Sequence, residues 1–102
     1  MKQCKQFPSY LITRRGKVYS KLSKKWLKPG LDKNGYHLLS LMRDKKKTMV
    51  KVHRLTYEAY KGKIPRGYVI NHLDLTKDNN HIDNLEACTI KHNVQHYWEN
   101  IA

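Results

Sequence analysis

The 102-residue sequence predicts an α+β protein, in which a small basic antiparallel sheet precedes a helix and a strand–loop–strand–helix unit. Residues 9–52 predict the sheet, because short runs with an apolar period of two alternate with turn signals. From Val52 onward the period becomes that of a helix, and a long polar loop then separates two strands. We predict one compact unit with two parts, residues 1–51 and residues 52–102.

Turn residues divide the first part into strands. The stretch YLITRRGKVYS (Tyr10–Ser20) predicts two strands around a turn at Arg15-Gly16, where Gly16 supplies the positive φ that such turns often need. A strand is expected in residues 36–41, and DKKKTMVKV (Asp44–Val52) is expected to form a turn followed by another strand. The turn signals between these runs are Pro29-Gly30, Asn34-Gly35 and the segment that begins at Asp44.

The second part begins with a short amphipathic helix. Val52, Leu55 and Ala59 follow helical spacing, and Gly62 ends the pattern. The runs YVINH and LEACT then predict strands at Tyr68–His72 and Leu85–Thr89, joined by a polar loop. Thr89 can cap a final helix, residues 90–101, by accepting from a free backbone N–H.

Net charge indicates the class of partner. The chain carries +13, and the charge is uneven: residues 1–55 hold sixteen Lys and Arg against two acids, whereas residues 56–102 hold five against six. Such a surface favours a polyanion, nucleic acid first, with a ribosomal-type protein or a merely solvated basic surface as alternatives. There is no apolar run long enough for a signal peptide or membrane span. Cys4 and Cys88 form no CxxC pair, so we expect reduced thiols in a cytoplasmic protein.

Three polar side chains carry the chemistry of the second part. His72 ends the first of its strands, Asn84 ends the loop, and Asn93 lies in the first turns of the last helix, which is the layout of a ββα-metal finger. HRL, the IP turn, NH-D, NNxxDNLE and T–xxN occur here in order and spacing. On these motifs, residues 50–97 resemble the HNH homing-endonuclease (His-Me finger) domain of phage and intron-encoded nucleases. Upstream, YLITRRGKVYS and GYHLLSL resemble the basic DNA-binding module that often precedes it.

The residues suit hydrolysis of a phosphodiester. His72 can be a general base, because its pKa can lie near the working pH. Asn71 and Asn93 offer carbonyl oxygens to a hard cation, so we expect one Mg²⁺ or Mn²⁺ per active site. Neighbours on a strand point to opposite faces, so Asn71 and His72 can share a metal centre only if the strand end is irregular. The resemblance also implies a role for Asn84, which completes the catalytic set with His72 and Asn93. Asn84 is expected to tie the loop and to orient the histidine.

The chain departs from the family pattern at three positions. Asn71 stands where many members have Asp, Asn93 where many have His, and Leu75 where a loop Gly usually follows the Asp. The two neutral ligands favour Mg²⁺ or Mn²⁺ over a tightly held Zn²⁺, and they require the DNA phosphate to complete the site.

Each assignment has a structural alternative. His72 can be a core histidine and Asn93 a helix cap. His96 is a candidate phosphate contact, against the alternative of a surface histidine, and His53 is expected to pack or hydrogen-bond near the site. Asp74, Asp78 and Asp83 are expected as turn residues. Tyr57, Tyr60, Tyr97 and Trp98 are expected in the core.

The resulting hypothesis is a metal-dependent endonuclease of homing or phage type that cuts duplex DNA. A monomer with one site is expected to nick, and a double-strand break requires a homodimer or two binding events; a partner can supply further specificity. The alternatives are a non-catalytic DNA-binding protein that keeps the finger as a scaffold and an RNA-binding basic protein. The predicted DNA contacts are Arg14, Arg15, Lys17, Lys24, Lys25, Lys28, Lys45, Lys46 and Lys47.

Overall fold

The computed structural model describes residues 1–101, and it describes the side chains of all of these except Tyr97, Asn100 and Ile101. Nine strands and two α-helices are present in this part of the chain. The strands are β1 (Lys2–Cys4), β2 (Phe7–Ile12), β3 (Val18–Ser20), β4 (Lys25–Trp26), β5 (Gly30–Leu31), β6 (His37–Arg43), β7 (Lys46–Lys51), β8 (Tyr68–His72) and β9 (Leu85–Thr89). The helices are α1 (Val52–Lys61) and α2 (Ile90–Ile101), and a short 3₁₀ turn spans Ile82–Asn84.

The α+β class is confirmed, but the predicted N-terminal sheet is divided in two. Strands β1 to β4 form one antiparallel sheet in sequence order, and β5 to β7 form a second one. The break falls at Pro29, between β4 and β5. Proline has no backbone N–H to donate to a ladder, so a continuous sheet through this position is disfavoured. Strand β1 was not predicted, and it pairs with β2 through a bulge at Cys4.

The main core crosses from the first part of the chain into the second. Strand residues from both N-terminal sheets pack there with Val52, Leu55 and Ala59, the apolar face of α1. The predicted division between residues 1–51 and residues 52–102 runs through this cluster, and it stays a prediction. The strand residues of the cluster are Cys4, Phe7, Tyr10, Ile12, Val18, Leu39 and Leu41.

A smaller core supports the β8–β9 hairpin. Ile64, Ile70 and Leu85 are buried together, and Tyr57 of α1 packs against them. The two strands are antiparallel, with Asn71 opposite Glu86 and His72 opposite Leu85. The hairpin is therefore fixed to the N-terminal sheets by the two faces of α1, one in each core.

Helix α2 begins as predicted but leaves a large side chain in solvent. Thr89 Oγ1 accepts from the backbone N–H of His92 at 3.2 Å, so Thr89 caps the helix. Trp98 is 61% exposed, and the prediction that it lies in the core is wrong. It follows Ile90 and Val94 at four-residue intervals on one solvent-exposed face of the helix. Tyr57 and Tyr60 pack on the cores as predicted, and the Tyr97 side chain lies outside the described residues.

No helix in the described part of the chain is both long enough and apolar enough to cross a membrane.

Candidate active site

A cavity of about 240 Å³ lies where β8, the following loop and α2 meet. Asn71, His72 and Asn93, which the sequence analysis assigned to catalysis and metal binding, all line it. Asn71 and His72 are buried, and Asn93 is half-buried. The remaining lining residues are Tyr36, Ile70, Leu75, Lys77 and Val94.

The end of β8 allows two neighbouring residues to line one cavity. The strand ends at His72, and the chain turns at once, with Leu75 N donating to His72 O at 3.0 Å. Leu73 N donates to Asn84 O at 2.8 Å, so the hairpin ladder gives way to a closed loop at this point. Asn71 and His72 are therefore not confined to the alternating faces of a regular strand.

Three groups surround the imidazole of His72. Asn80 Oδ1 lies 2.9 Å from His72 Nε2, and Asn80 is only 3% exposed. The rings of His53 and Tyr36 lie 5.1 and 5.9 Å from the His72 ring, centroid to centroid. If Nε2 donates its hydrogen to the Asn80 carbonyl oxygen, Nδ1 is left unprotonated. That tautomer places the basic lone pair on Nδ1.

His53 packs near the site, as expected, and remains neutral. Burial is the main cause that lowers its pKa from 6.5 to about 3, and the neighbouring His72 lowers it further. Its Nδ1 is the one buried side-chain nitrogen or oxygen, among the described residues, that has no hydrogen-bond partner. A neutral His53 adds no positive charge beside His72.

Asn71 is held across the hairpin. Its Nδ2 donates to Glu86 Oε1 at 3.0 Å, and Glu86 Oε1 lies 3.4 Å from His92 Nε2. A carboxylate accepts only, so this contact identifies the nitrogen side of the amide. The carbonyl oxygen of Asn71 is then the side-chain atom directed away from Glu86 and suited to a cation.

The loop between β8 and β9 is closed by a clasp of amides around one carboxylate. Asn84 Nδ2 donates to Asp74 Oδ1 at 2.9 Å and to Asn79 O at 2.9 Å, and Asn84 Oδ1 accepts from Asp74 N at 3.0 Å. Asp74 also accepts from Asn79 Nδ2 and Thr76 N, and these hydrogen bonds lower its pKa to about 2. Asn84 thus ties the two ends of the loop, whereas the direct partner of His72 is Asn80.

The backbone conformation at Leu75 is one that favours glycine. Its φ is +63°, in the left-handed region, where a side chain costs about 1–2 kcal/mol. Leu75 is half-buried and lines the cavity.

His96 lies on α2 beyond Asn93. Its Nε2 is 3.0 Å from Leu73 O, at the start of the loop. The ring therefore links the helix to the loop, and its proposed contact with a phosphate stays a prediction.

The side chains that line the cavity suit a hard divalent cation only in part. Asn71 and Asn93 supply neutral oxygens, and the described residues contain no group of three or more His, Cys, Asp and Glu that could hold a metal ion. Mg²⁺ is commonly held by one or two protein oxygens, with water and substrate phosphate completing its shell. The donor set fits a cation that binds together with a phosphate, and it does not fit a closed Zn²⁺ site.

Residues 50–95 match the family model described as HNH endonuclease, a range that contains β8, the clasped loop, β9 and the start of α2. These residues belong to the HNH endonuclease family.

This chain is similar to several HNH endonucleases over most of its length. It is 40% identical over 86 residues to the SPbeta prophage-derived putative HNH homing endonuclease YosQ of Bacillus subtilis (strain 168), which covers 83% of this chain and 50% of the relative. It is 38% identical over 86 residues to the DNA endonuclease I-HmuI of Bacillus phage SP01, covering 84% of this chain and 49% of the relative. An uncharacterized HNH endonuclease of Acanthamoeba polyphaga mimivirus is 42% identical over 90 residues, or 87% of this chain and 27% of the relative.

The same relationship holds in three dimensions. A solved structure of the HNH homing endonuclease I-HmuI, which concerns DNA binding and cleavage by that enzyme, matches with a TM-score of 0.89 and 36% identity. The match covers 97% of this chain and 57% of that one. The HNH chain described here therefore spans about half the length of these two Bacillus-related proteins, and the N-terminal sheets are part of the shared fold.

The nine basic side chains predicted to bind DNA are all exposed on this HNH protein. Arg14 lies 3.6 Å from Asp83, an ion pair between two exposed side chains, so a phosphate would have to compete with Asp83 for it. Lys45, at φ +66°, forms with Asp44 the two-residue turn between β6 and β7. Contact of these residues with DNA stays a prediction.

Four residues at the candidate site were not predicted from the sequence: Asn80, Glu86, Tyr36 and Lys77. Asn80 and Glu86 lie inside the motif NNxxDNLE, but the motif does not indicate which side chains they contact. Glu86 follows from the strand register, because pairing His72 with Leu85 places it opposite Asn71. Tyr36 comes from the N-terminal part, and only the tertiary structure brings it to the cavity.

Proposed function

We propose that this protein is a metal-dependent DNA endonuclease that hydrolyses one phosphodiester bond in duplex DNA per active site, with His72 as general base. The observation that carries the proposal is the convergence of Asn71, His72 and Asn93 on one cavity of a chain with an HNH endonuclease domain. We also propose that the protein acts in the cytoplasm of a bacterial or phage-infected cell and that it is an endonuclease of the homing or phage type.

The hydrolytic step assigns an atom to each event. The oxygen of a water molecule forms a bond to phosphorus while the bond from phosphorus to the leaving 3′ oxygen breaks. The proton lost by the water passes to Nδ1 of His72, while the Nε2–H of the same ring continues to donate to Asn80 Oδ1. The leaving oxygen takes a proton from solvent. Neutral His53 behind the ring allows the imidazolium to form without a second positive charge in contact with it.

The metal supplies the electrostatic part of this chemistry. A bound Mg²⁺ or Mn²⁺ stabilises negative charge that develops on the phosphate and on the leaving oxygen. The carbonyl oxygens of Asn71 and Asn93 would hold it together with a phosphate oxygen of the DNA. Glu86 supports this assignment, because it fixes the nitrogen end of the Asn71 amide.

The basic N-terminal sheets would hold the duplex. Nine exposed Lys and Arg side chains can contact phosphates, and Arg14 and Arg15 are the candidates for base reading. A single candidate active site in the described part of the chain favours a nick, so a double-strand break would require a homodimer or successive binding. The relatives extend beyond the matched region, which leaves room for further DNA-reading segments in proteins of this kind.

A non-catalytic DNA-binding protein is the second candidate, and the neutral donors favour it. Neither Asn71 nor Asn93 brings a negative charge to the cation, so metal affinity depends on the bound phosphate. Binding experiments cannot separate the two candidates, because both predict DNA affinity that falls with salt.

The deciding experiment is cleavage of a supercoiled plasmid library that carries fragments of the genome in which the gene resides. The wild type is incubated with Mg²⁺ or Mn²⁺, with and without EDTA, beside His72→Ala and the control Gln95→Ala, which truncates an exposed polar side chain of α2 that pairs with Glu99. We expect relaxed circles with metal only, a loss of about 10²-fold or more with His72→Ala, and a near wild-type rate with Gln95→Ala.

Each outcome decides between the candidates. Linear product that appears together with relaxed circles indicates that two sites act at once, whereas relaxed circles alone indicate a nicking monomer. If the wild type shifts DNA in a gel but leaves it intact with every metal, and Asn71→Asp does not produce cutting, the scaffold candidate replaces the nuclease.

A further inference from the structure

Lys77 places a positive charge at the mouth of the candidate active site. It lies in the loop between β8 and β9, is exposed to solvent and lines the cavity that contains Asn71, His72 and Asn93. Its Nζ donates to the backbone carbonyl of Asn34 at 2.7 Å. The ammonium group is therefore fixed at the cavity by the N-terminal part of the chain.

An aromatic ring fixes the same group from a second direction. Lys77 Nζ lies 5.1 Å from the ring centroid of Tyr36, within the range of a cation–π contact. Tyr36 in turn packs against His53 and His72. The turn that carries Asn34 and Tyr36 thus determines both where the Lys77 charge lies and what packs against the His72 ring.

The charge of Lys77 is not neutralised by a neighbouring acid. Among the described side chains, no carboxylate oxygen lies within 4.0 Å of its Nζ. Lys51, the other lysine beside the Tyr36 ring, differs in this respect, because its Nζ is 3.9 Å from Asp32 Oδ2. An ammonium has three donors, and the Asn34 carbonyl accepts one of them.

We propose that Lys77 binds the phosphate that is cut, donating from Nζ to one of its nonbridging oxygens. The proposal rests on the proposed function and adds the group that offsets phosphate charge where Asn71 and Asn93 contribute none. Negative charge increases on these oxygens as the water attacks, so a fixed cation stabilises the transition state more than the bound ground state. Asn34 and Tyr36 act as positioning residues for Lys77.

The structural alternative is that Lys77 only tethers the loop to the N-terminal turn. Two substitutions separate these explanations. Lys77→Gln keeps a donor for the Asn34 carbonyl but removes the charge, whereas Lys77→Arg keeps the charge and the cation–π contact. Lys33→Gln is the matched control, because it removes the same charge from an exposed lysine of the neighbouring turn.

Single-turnover cleavage with saturating protein is the first measurement, and thermal unfolding of each variant accompanies it. We expect Lys77→Gln to slow cleavage about tenfold or more, Lys77→Arg to retain most of the rate and Lys33→Gln to match the wild type. The unfolding midpoints of all four proteins should agree within a few degrees. If Lys77→Gln cuts as fast as Lys33→Gln, or if its loss of rate follows a loss of stability that Lys77→Arg shares, the proposal is overturned.

DNA binding without metal tests the contact independently of cutting. In EDTA, the slope of log affinity against log salt should decrease in magnitude by about 0.9 for Lys77→Gln, as for one lost phosphate contact, and Lys77→Arg should keep the wild-type slope. An unchanged slope for Lys77→Gln overturns the contact. If the wild type fails to cut but the slope decreases as expected, the proposed function fails and the phosphate contact of Lys77 stands.

Discussion

Asn80 Oδ1 lies 2.9 Å from His72 Nε2, in a buried contact between the clasped loop and the last residue of β8. With Asn80 Oδ1 as the acceptor, Nε2 carries the hydrogen and Nδ1 holds the basic lone pair. The contact also links the histidine to the N-terminal sheets, since Asn80 packs directly under the turn that contains Gly16.

Substitution of Asn80 should impair the function of His72 while the histidine itself is unchanged. Asn80→Ala leaves Nε2 of a buried ring without its acceptor, so we expect a cleavage rate at least tenfold lower, part of the about 10²–10⁴-fold that a general base supplies. We also expect a loss of about 1–3 kcal/mol in the free energy of unfolding. Plasmid nicking and urea unfolding measure the two effects.

Asn80→Asp is the matched variant, because it keeps the acceptor and adds a negative charge. A carboxylate beside the ring stabilises the imidazolium, so the acid limb of the pH–rate profile should move to higher pH. A profile identical to the wild type would mean that Asn80 does not contact the base during cleavage.

Gly16→Ala tests whether the N-terminal turn supports the site. The backbone φ is +83°, and an added Cβ would lie 2.7 Å from Asn80 Cβ and 2.9 Å from Asn80 O. We expect a loss of about 2–4 kcal/mol in stability from strain and overpacking, and slower cleavage because Asn80 must move. Gly67→Ala is the control: its φ is +82°, and nothing lies within 4 Å of the added Cβ. Equal cleavage rates for the two variants would contradict the link from Gly16 to the site.

Glu86→Gln should weaken metal binding while it preserves the fold. The Gln amide can present its NH₂ to Asn71 and turn the Asn71 oxygen toward itself, so the cation loses a ligand oriented toward it. We expect an apparent metal affinity about tenfold lower, measured by Mn²⁺ titration of the DNA complex with electron paramagnetic resonance. Glu58→Gln, on α1, is the control for the lost charge. A Mn²⁺ affinity equal to the wild type would show that Asn71 needs no partner.

His53 should make stability depend on pH in the mildly acidic range. Its pKa is 6.5 when unfolded and about 3 when folded, so between these values the unfolded chain binds the additional proton. The contribution of neutral His53 to the free energy of unfolding is therefore fully present above pH 6.5. It is lost as the pH falls, at a rate that approaches about 1.4 kcal/mol per pH unit. His53→Phe keeps an aromatic ring and removes the titration, so urea unfolding between pH 6.5 and 5 should give a shallower slope. A slope equal to that of the wild type would mean that another group is responsible.

Much of the fold was predictable from local signals. The period of two in residues 9–52, the helical spacing of Val52, Leu55 and Ala59, and Thr89 at a helix N-terminus each arise from neighbours in sequence. The division of the N-terminal sheet and the exposure of Trp98 were not predictable in this way, because they depend on which faces find a partner after the elements pack.

The sequence by itself determined the secondary structure of the HNH domain and the identity of the candidate base and metal ligands, because these follow from motif spacing and from the chemistry of each side chain. Only the tertiary structure decided that Asn80 contacts His72, that Glu86 holds Asn71, and that Tyr36 brings Lys77 to the same cavity. These are contacts between residues that are distant in the chain or on different elements. Such contacts form only when α1 joins the two cores and closes the clasped loop against the N-terminal turns.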